Sequence, residues 1–136
     1  MEKLRALKKA IFEKATSSDS LTALVDSRVY DTTAPEGAAA PWIRYSITAS
    51  ADENVFVESS PIITRGVVTF DVLSIGSVAT EAENVLEALE ATFDGASLTG
   101  DGWDFDLKRI AERKVWDSAS GAWILSADYR VLASCS

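Results

Sequence analysis

Apolar residues recur at helical spacing in two stretches of this chain and at two-residue spacing in four, and those stretches set out its plan. Over residues 2–15, Leu4, Leu7, Ile11 and Ala15 fall on one helical face, with Lys8, Lys9 and Glu13 outside. The Thr16-Ser17-Ser18-Asp19-Ser20 cluster breaks that helix, and Asp19 or Ser20 caps a further turn or two through Leu21, Leu24 and Val25. Arg28-Val29-Tyr30 reads as extended. Asp31 to Ala40, with Pro35, Gly37 and four alanines, is a bridge rather than an element.

Pro41 has no N–H to give a ladder and suits the first position of a strand, in which Ile43, Tyr45 and Ile47 alternate with Trp42, Arg44 and Ser46. Residues 49–60 are polar and acidic around Val55, Phe56 and Val57, a loop or a protruding hairpin that Pro61 ends. Ile62 to Ile75 is the strongest strand, with Val68, Phe70 and Val72 on one side and Val67, Thr69, Asp71 and Leu73 on the other. Apolar residues on both sides predict a central strand with something covering each face.

Gly76-Ser77 turns the chain. Thr80 and Glu83 have capping-box spacing. Ala82, Val85, Leu86, Leu89 and Phe93 then mark a helix whose wet face is Glu81, Glu83, Glu87 and Glu90, and Gly95 stands where a left-handed stop belongs. After the turn at Gly100-Asp101-Gly102, Trp103, Phe105 and Leu107 alternate with Asp104, Asp106 and Lys108. Ile110 to Trp116 continues extended with a bulge near Ala111. Ser118 to Gly121 makes a tight hairpin. The last strand turns Trp123, Leu125, Ala127, Tyr129 and Val131 inward and Ser126, Asp128 and Arg130 outward.

Short turns between consecutive strands favour antiparallel pairing, and each amphipathic helix needs a sheet face. The expected fold is therefore one α+β domain over residues 1–136. It is two-layered, with a mostly antiparallel sheet of about four to five strands packed with two main helices.

Composition narrows the chemistry more than it suggests any. A chain of 136 residues is large enough for one core. No apolar run approaches the roughly 20 residues that span a bilayer. Lys3, Arg5, Lys8 and Lys9 are interrupted by Glu2 and Glu13 with no hydrophobic signal core behind them, so a cytosolic product is expected. Histidine is absent and the one cysteine is Cys135. Nucleophilic systems that hand a proton to an imidazole are thereby excluded, as are an intrachain disulfide and a single-chain zinc site of His and Cys ligands. A net charge of −8 opposes strong binding to nucleic acid but suits a surface that DNA passes without sticking.

The candidate motifs are weak. Asp101, Asp104 and Asp106 break the spacing of a calcium loop, and Asp104 and Asp106 point to solvent from a strand. Lys108, Arg109, Arg113 and Lys114, flanked by Trp103 and Trp116, resemble a stacking surface for nucleic acid, but alternation scatters them over both faces. The glycines form no phosphate cradle. Among 21 acidic residues a catalytic carboxylate pair has no cleft to mark it. Trp42, Tyr45, Phe70, Trp123 and Tyr129 read as core or subunit-seam aromatics.

The order of parts carries a resemblance. The N-terminal helix ending near Arg28-Val29-Tyr30, the Ala/Pro bridge, the Pro41-Trp42-Ile43 strand entry and the Arg65-to-Leu73 strand come first. The helix ending in Phe93-Asp94-Gly95 and the closing Asp128-Tyr129-Arg130-Val131 strand follow. From Leu4 to Ala133 this pattern resembles the tail-completion, or tail-terminator, proteins of long-tailed bacteriophages and related gene-transfer particles.

The resemblance implies a structural virion protein and no enzyme, cofactor, metal or membrane. It implies a homo-oligomeric ring, commonly a hexamer, assembled in the host cytoplasm and resident in the virion tail. The ring sits on the head-proximal end of the tail tube, stops its polymerisation and meets the head–tail connector, while DNA passes without specific binding. Asp52, Glu53, Phe56 and Glu58, in the polar stretch, are the candidate lumen or tube-facing rim. The competing expectations are another ring of the neck or tail (a connector or a tube-like subunit), a small carboxylate enzyme, and an adaptor that binds a peptide along a sheet edge.

Overall fold

The computed structural model describes residues 2–49, 64–76 and 79–135. Along them run helices α1 (Glu2–Ser17) and α2 (Asp19–Val25), strands β1 (Val29–Asp31), β2 (Trp42–Ala49) and β3 (Thr64–Ile75), helix α3 (Thr80–Phe93), and strands β4 (Ser97–Gly100), β5 (Trp103–Asp117) and β6 (Ala122–Cys135). The strands form one sheet in the order β1-β2-β3-β6-β5-β4. Every pairing is antiparallel except the short parallel step of β1 on β2.

The mixed α/β character and the mostly antiparallel sheet agree with the sequence pattern, but the element count is higher. Among the described residues there are six strands rather than four or five and three helices rather than two. The extra strands are three and four residues long, too short to show a period: β1 is tied in by pairing Val29 with Ile43, and β4 by pairing Leu98 with Phe105.

Register puts the core on one side. Ile43 lies opposite Val72, Tyr45 opposite Phe70, Val68 opposite Tyr129, and Leu107 opposite Val131. All eight are buried, and the helices pack over them. Phe93, at the end of α3, sits with its ring centroid 4.7 Å from that of Phe70, which meets Tyr129 edge-on at 5.5 Å. Such aromatic pairs add about 0.5–1.5 kcal/mol each beyond the area they bury. Beneath α1, the small side chains of Ala6 and Ala10 let the helix approach β4 closely. A Cβ added at Gly100 would sit 3.5 Å from the Ala6 carbonyl oxygen.

Three local expectations change. The cap of α2 is Ser18, not Asp19 or Ser20; its hydroxyl accepts from the Leu21 N–H at 3.4 Å, so Asp19 already stands inside the first turn. The Thr80–Glu83 capping box does not form. Thr80 is itself helical, Ala79 precedes it without a side-chain cap, and the Glu83 carboxylate is engaged by Lys114. The strong strand, β3, is central as its pattern implies, but only one of its faces is covered. Val67 and Leu73 are half-exposed on the other.

The bulge near Ala111 is present. Arg109 pairs with Tyr129 and Ala111 with Asp128, so Ile110 is the unpaired extra residue. Gly95 takes φ 72° after α3, the left-handed stop its position implies.

Candidate functional site

The rim residues Asp52, Glu53, Phe56 and Glu58 lie outside the described residues. The remaining surface offers two chemically distinct regions, one on each side of the sheet.

On the uncovered face, cross-strand rows alternate in character. Register aligns Trp42, Leu73, Ile124 and Val115 into an apolar row across β2, β3, β6 and β5, and Ile75 stands at its margin. Val115 and Ile75 are more than half exposed. The Tyr30 ring meets Trp42 edge-on at 6.3 Å, and the Arg44 guanidinium lies 5.8 Å from the Trp42 ring centre.

The next rows are polar and internally satisfied. Arg44 donates to one Asp71 oxygen through Nε and Nη2, at 3.0 and 2.6 Å, while the Ser126 hydroxyl donates to the other. Ser126 is buried as a result, although alternation assigns it outward. Asp128 accepts from the Arg113 guanidinium and from the Thr69 hydroxyl. The hydrogen bond from Arg113 holds the Asp128 carboxyl below its usual range against the opposing effect of burial, and the Thr69 hydroxyl helps.

On the other side, an open groove of about 400 Å³ runs between α3 and the outer half of β5. Its floor is Leu86 and Leu125, and Glu83, Glu87, Glu90 and Glu112 stand around it. The bulge at Ile110 builds this groove, because it turns Glu112 and Lys114 toward α3. Lys114 donates to Glu83 at 2.9 Å. A single nitrogen of Arg109 serves both Glu90, at 2.8 Å, and Glu112, at 2.9 Å. Hydrogen bonding with Glu90, partial burial and the Glu90 charge raise the Glu112 carboxyl, and Arg109 pulls it back. Behind the groove, the Tyr129 hydroxyl and the Trp123 indole N–H are buried without a hydrogen-bond partner among the described residues. Trp123 also takes Trp116 at 5.2 Å and the Lys114 ammonium at 5.2 Å.

Other sequence candidates are dispersed. The basic run is scattered over both faces, with Arg109 and Lys114 toward α3 and Arg113 on the open side, and it is the bulge at Ile110 that decides which residue goes where. Asp106 is occupied by the Ser97 hydroxyl at 2.8 Å, and Asp101 sits in a turn with φ 50°. Among the described residues no three acidic or thiol side chains gather as a metal site would require. Of the five singled-out aromatics, Tyr45, Phe70 and Tyr129 are core, while Trp42 and Trp123 are half-buried. The groove has no sequence motif, since its walls come from segments about 20 to 30 residues apart.

A family model described as tail completion protein gp17 matches residues 9–126. A chain of a solved virion of a native gene transfer agent particle is similar to 97% of this chain over 97% of its own, with a TM-score of 0.79 at 16% identity. A second solved chain is similar to 92% of this chain over 93% of its own, with a TM-score of 0.64 at 22% identity. At those identities both likenesses speak for the fold. No curated protein matches the chain.

Proposed function

The chain belongs to the tail completion protein gp17 family, and from that premise we propose that it caps the head-proximal end of a phage-type tail tube as a closed ring. As a member of that family it is a structural protein of the virion tail, associated with other tail or head proteins. One α+β unit over residues 1–136 is the repeating subunit, and the ring is a hexamer. One axial face fits the tube protein and the other meets the head–tail connector, so no further tube subunit adds. DNA passes through the ring, and Asp52, Glu53, Phe56 and Glu58 stand on the lumen or tube-facing rim.

The observation that carries this reading is the match over residues 9–126, most of the chain. Surface chemistry supports it. Termination requires unlike faces rather than catalysis, and a ring closes when a heterologous contact repeats around an axis. The groups described above are consistent with contact surfaces, because the two carboxylates paired with arginine on the open face, Asp71 with Arg44 and Asp128 with Arg113, are held in ion pairs and not poised for proton transfer.

The test is to build particles without the protein and to add it, purified, to polymerising tube subunits. Capping expects tails of uncontrolled length with unattached heads in its absence, and shortened tubes when it is added. Normal tails with firmly joined heads would overturn the reading. Self-polymerisation of the purified protein into tubes would instead identify a tube-like subunit.

A further inference from the structure

Resting on the ring reading, we infer that the seam between neighbouring copies is made by the α3–β5 groove of one copy receiving the exposed stripe of α1 from the next. Three observations converge on it. First, the groove is short of positive charge. Four carboxylates (Glu83, Glu87, Glu90 and Glu112) meet two cations, Lys114 and Arg109, because Arg113 is committed to Asp128 on the other side of the sheet. Glu87 has no partner among the described residues, and Arg109 is divided between two carboxylates. An added cation would relieve both.

Second, α1 supplies those cations. Arg5, Lys9 and Phe12 fall on the side of α1 facing away from the core, and neither Arg5 nor Lys9 has a charged partner among the described residues. Phe12 is 40% exposed, an apolar side chain for which the buried Leu86–Leu125 floor is a seat. Glu13 stands exposed one turn beyond Lys9, so the stripe is basic at its Arg5–Lys9 end, and in a chain of net charge −8 that end is the scarce complement to such a groove.

Third, the spacings match. Arg5, Lys9 and Phe12 stand at i, i+4 and i+7, and so do Glu83, Glu87 and Glu90 on α3. Both ladders span about 10 Å along their helices, and antiparallel helices with Lys9 opposite Glu87 bring Arg5 to within about 1.5 Å of the level of Glu90 and Phe12 to within about 3 Å of the level of Leu86 on the floor. Groove and stripe are different patches of one surface. The contact is therefore heterologous and repeats from copy to copy, as a ring requires.

Lys9→Glu and Glu87→Lys test it, because both residues are exposed and unpaired and their replacement leaves the thermal unfolding midpoint in place. Sedimentation velocity at low salt, across a concentration series, reads the assembly. Each single reversal is expected to weaken association at least about tenfold. The Lys9→Glu/Glu87→Lys chain, and an equal mixture of the two single variants, are expected to return to near the wild-type value. Phe12→Ala weakens association with no change of charge. Rings from both single variants as stable as wild type would overturn this seam and leave the ring reading standing. So would a double variant no better than the singles. A wild-type chain monomeric at every concentration overturns the seam and the ring together.

Discussion

Arg44 and Asp71 face each other across the β2–β3 ladder, joined by two hydrogen bonds of 3.0 and 2.6 Å to a single carboxylate oxygen. The other oxygen takes the Ser126 hydroxyl, so the pair ties three adjacent strands together on the face that no helix covers. The Asp71 side chain is only 14% exposed, which makes its desolvation costly if the partner is lost. Arg44→Ala is expected to destabilise by about 1–3 kcal/mol, and a double-mutant cycle with Asp71→Asn to give a positive coupling. Urea unfolding measures both without screening the charges; coupling indistinguishable from zero would mean that the pair contributes geometry alone.

Tyr129 presents the opposite case, a buried hydroxyl with no hydrogen-bond partner among the described residues. Its ring packs edge-on against Phe70 and carries the stabilisation. Tyr129→Phe is therefore expected to change stability by less than about 1 kcal/mol, whereas Tyr129→Ala should cost about 3–5 kcal/mol by opening a cavity. Denaturation midpoints separate the two; a loss from Phe as large as that from Ala would show that the hydroxyl is bonded in solution.

Stability should fall at both ends of the pH scale for identifiable reasons. Burial, aided by the Asp31 charge, pushes the Tyr45 phenol from 10.0 up to about 12, and burial raises Tyr129 as well. The unfolded chain ionises these phenols first. Their contribution is complete below about pH 10 and is lost as pH rises from there toward 12. Asp128 works in reverse. Its depressed carboxyl favours the fold above about pH 4, and that contribution is lost as pH falls through its folded value. Thermal midpoints across pH check this, and Tyr45→Phe should flatten the alkaline arm without moving the acid one.

Replacing Asp52, Glu53 and Glu58 together with lysine reverses the charge of the candidate rim. The expected outcome is a folded chain, by circular dichroism, that impairs DNA passage or tail joining and lowers particle titre. An unchanged titre would remove that stretch from the site.

Much of the scaffold was legible because it depends on period. The five apolar positions of α3 are all buried, and the inward set of β6 from Leu125 to Val131 faces the core, since each repeats long enough to define a face. Ser126 and Leu73 show where period stops informing. Alternation says which residues share a side, but which side gathers helices, and whether a polar residue is buried by its neighbours, depends on tertiary packing. The charge pairs were illegible for the same reason: Glu90 and Arg109, Glu83 and Lys114, and Asp128 and Arg113 are 19, 31 and 15 residues apart. Nothing local marks them as partners. The capping box failed because a spacing of three recurs by chance wherever Thr and Glu are common, and Lys114 claimed the glutamate.

The extra residue in β5 gives that strand two reading frames. Up to Arg109 the odd positions look toward the helices; beyond Ile110 the even ones do. One continuous strand thereby serves as a wall of the core at its base and as an ionic wall for α3 nearer its tip. Were Ile110 instead to pair regularly with Asp128, every later residue would slip by one, sending Glu112, Lys114 and Trp116 to the far side of the sheet and bringing Arg113 and Val115 round in their place. The groove would then be dismantled with every one of its own residues still in the chain.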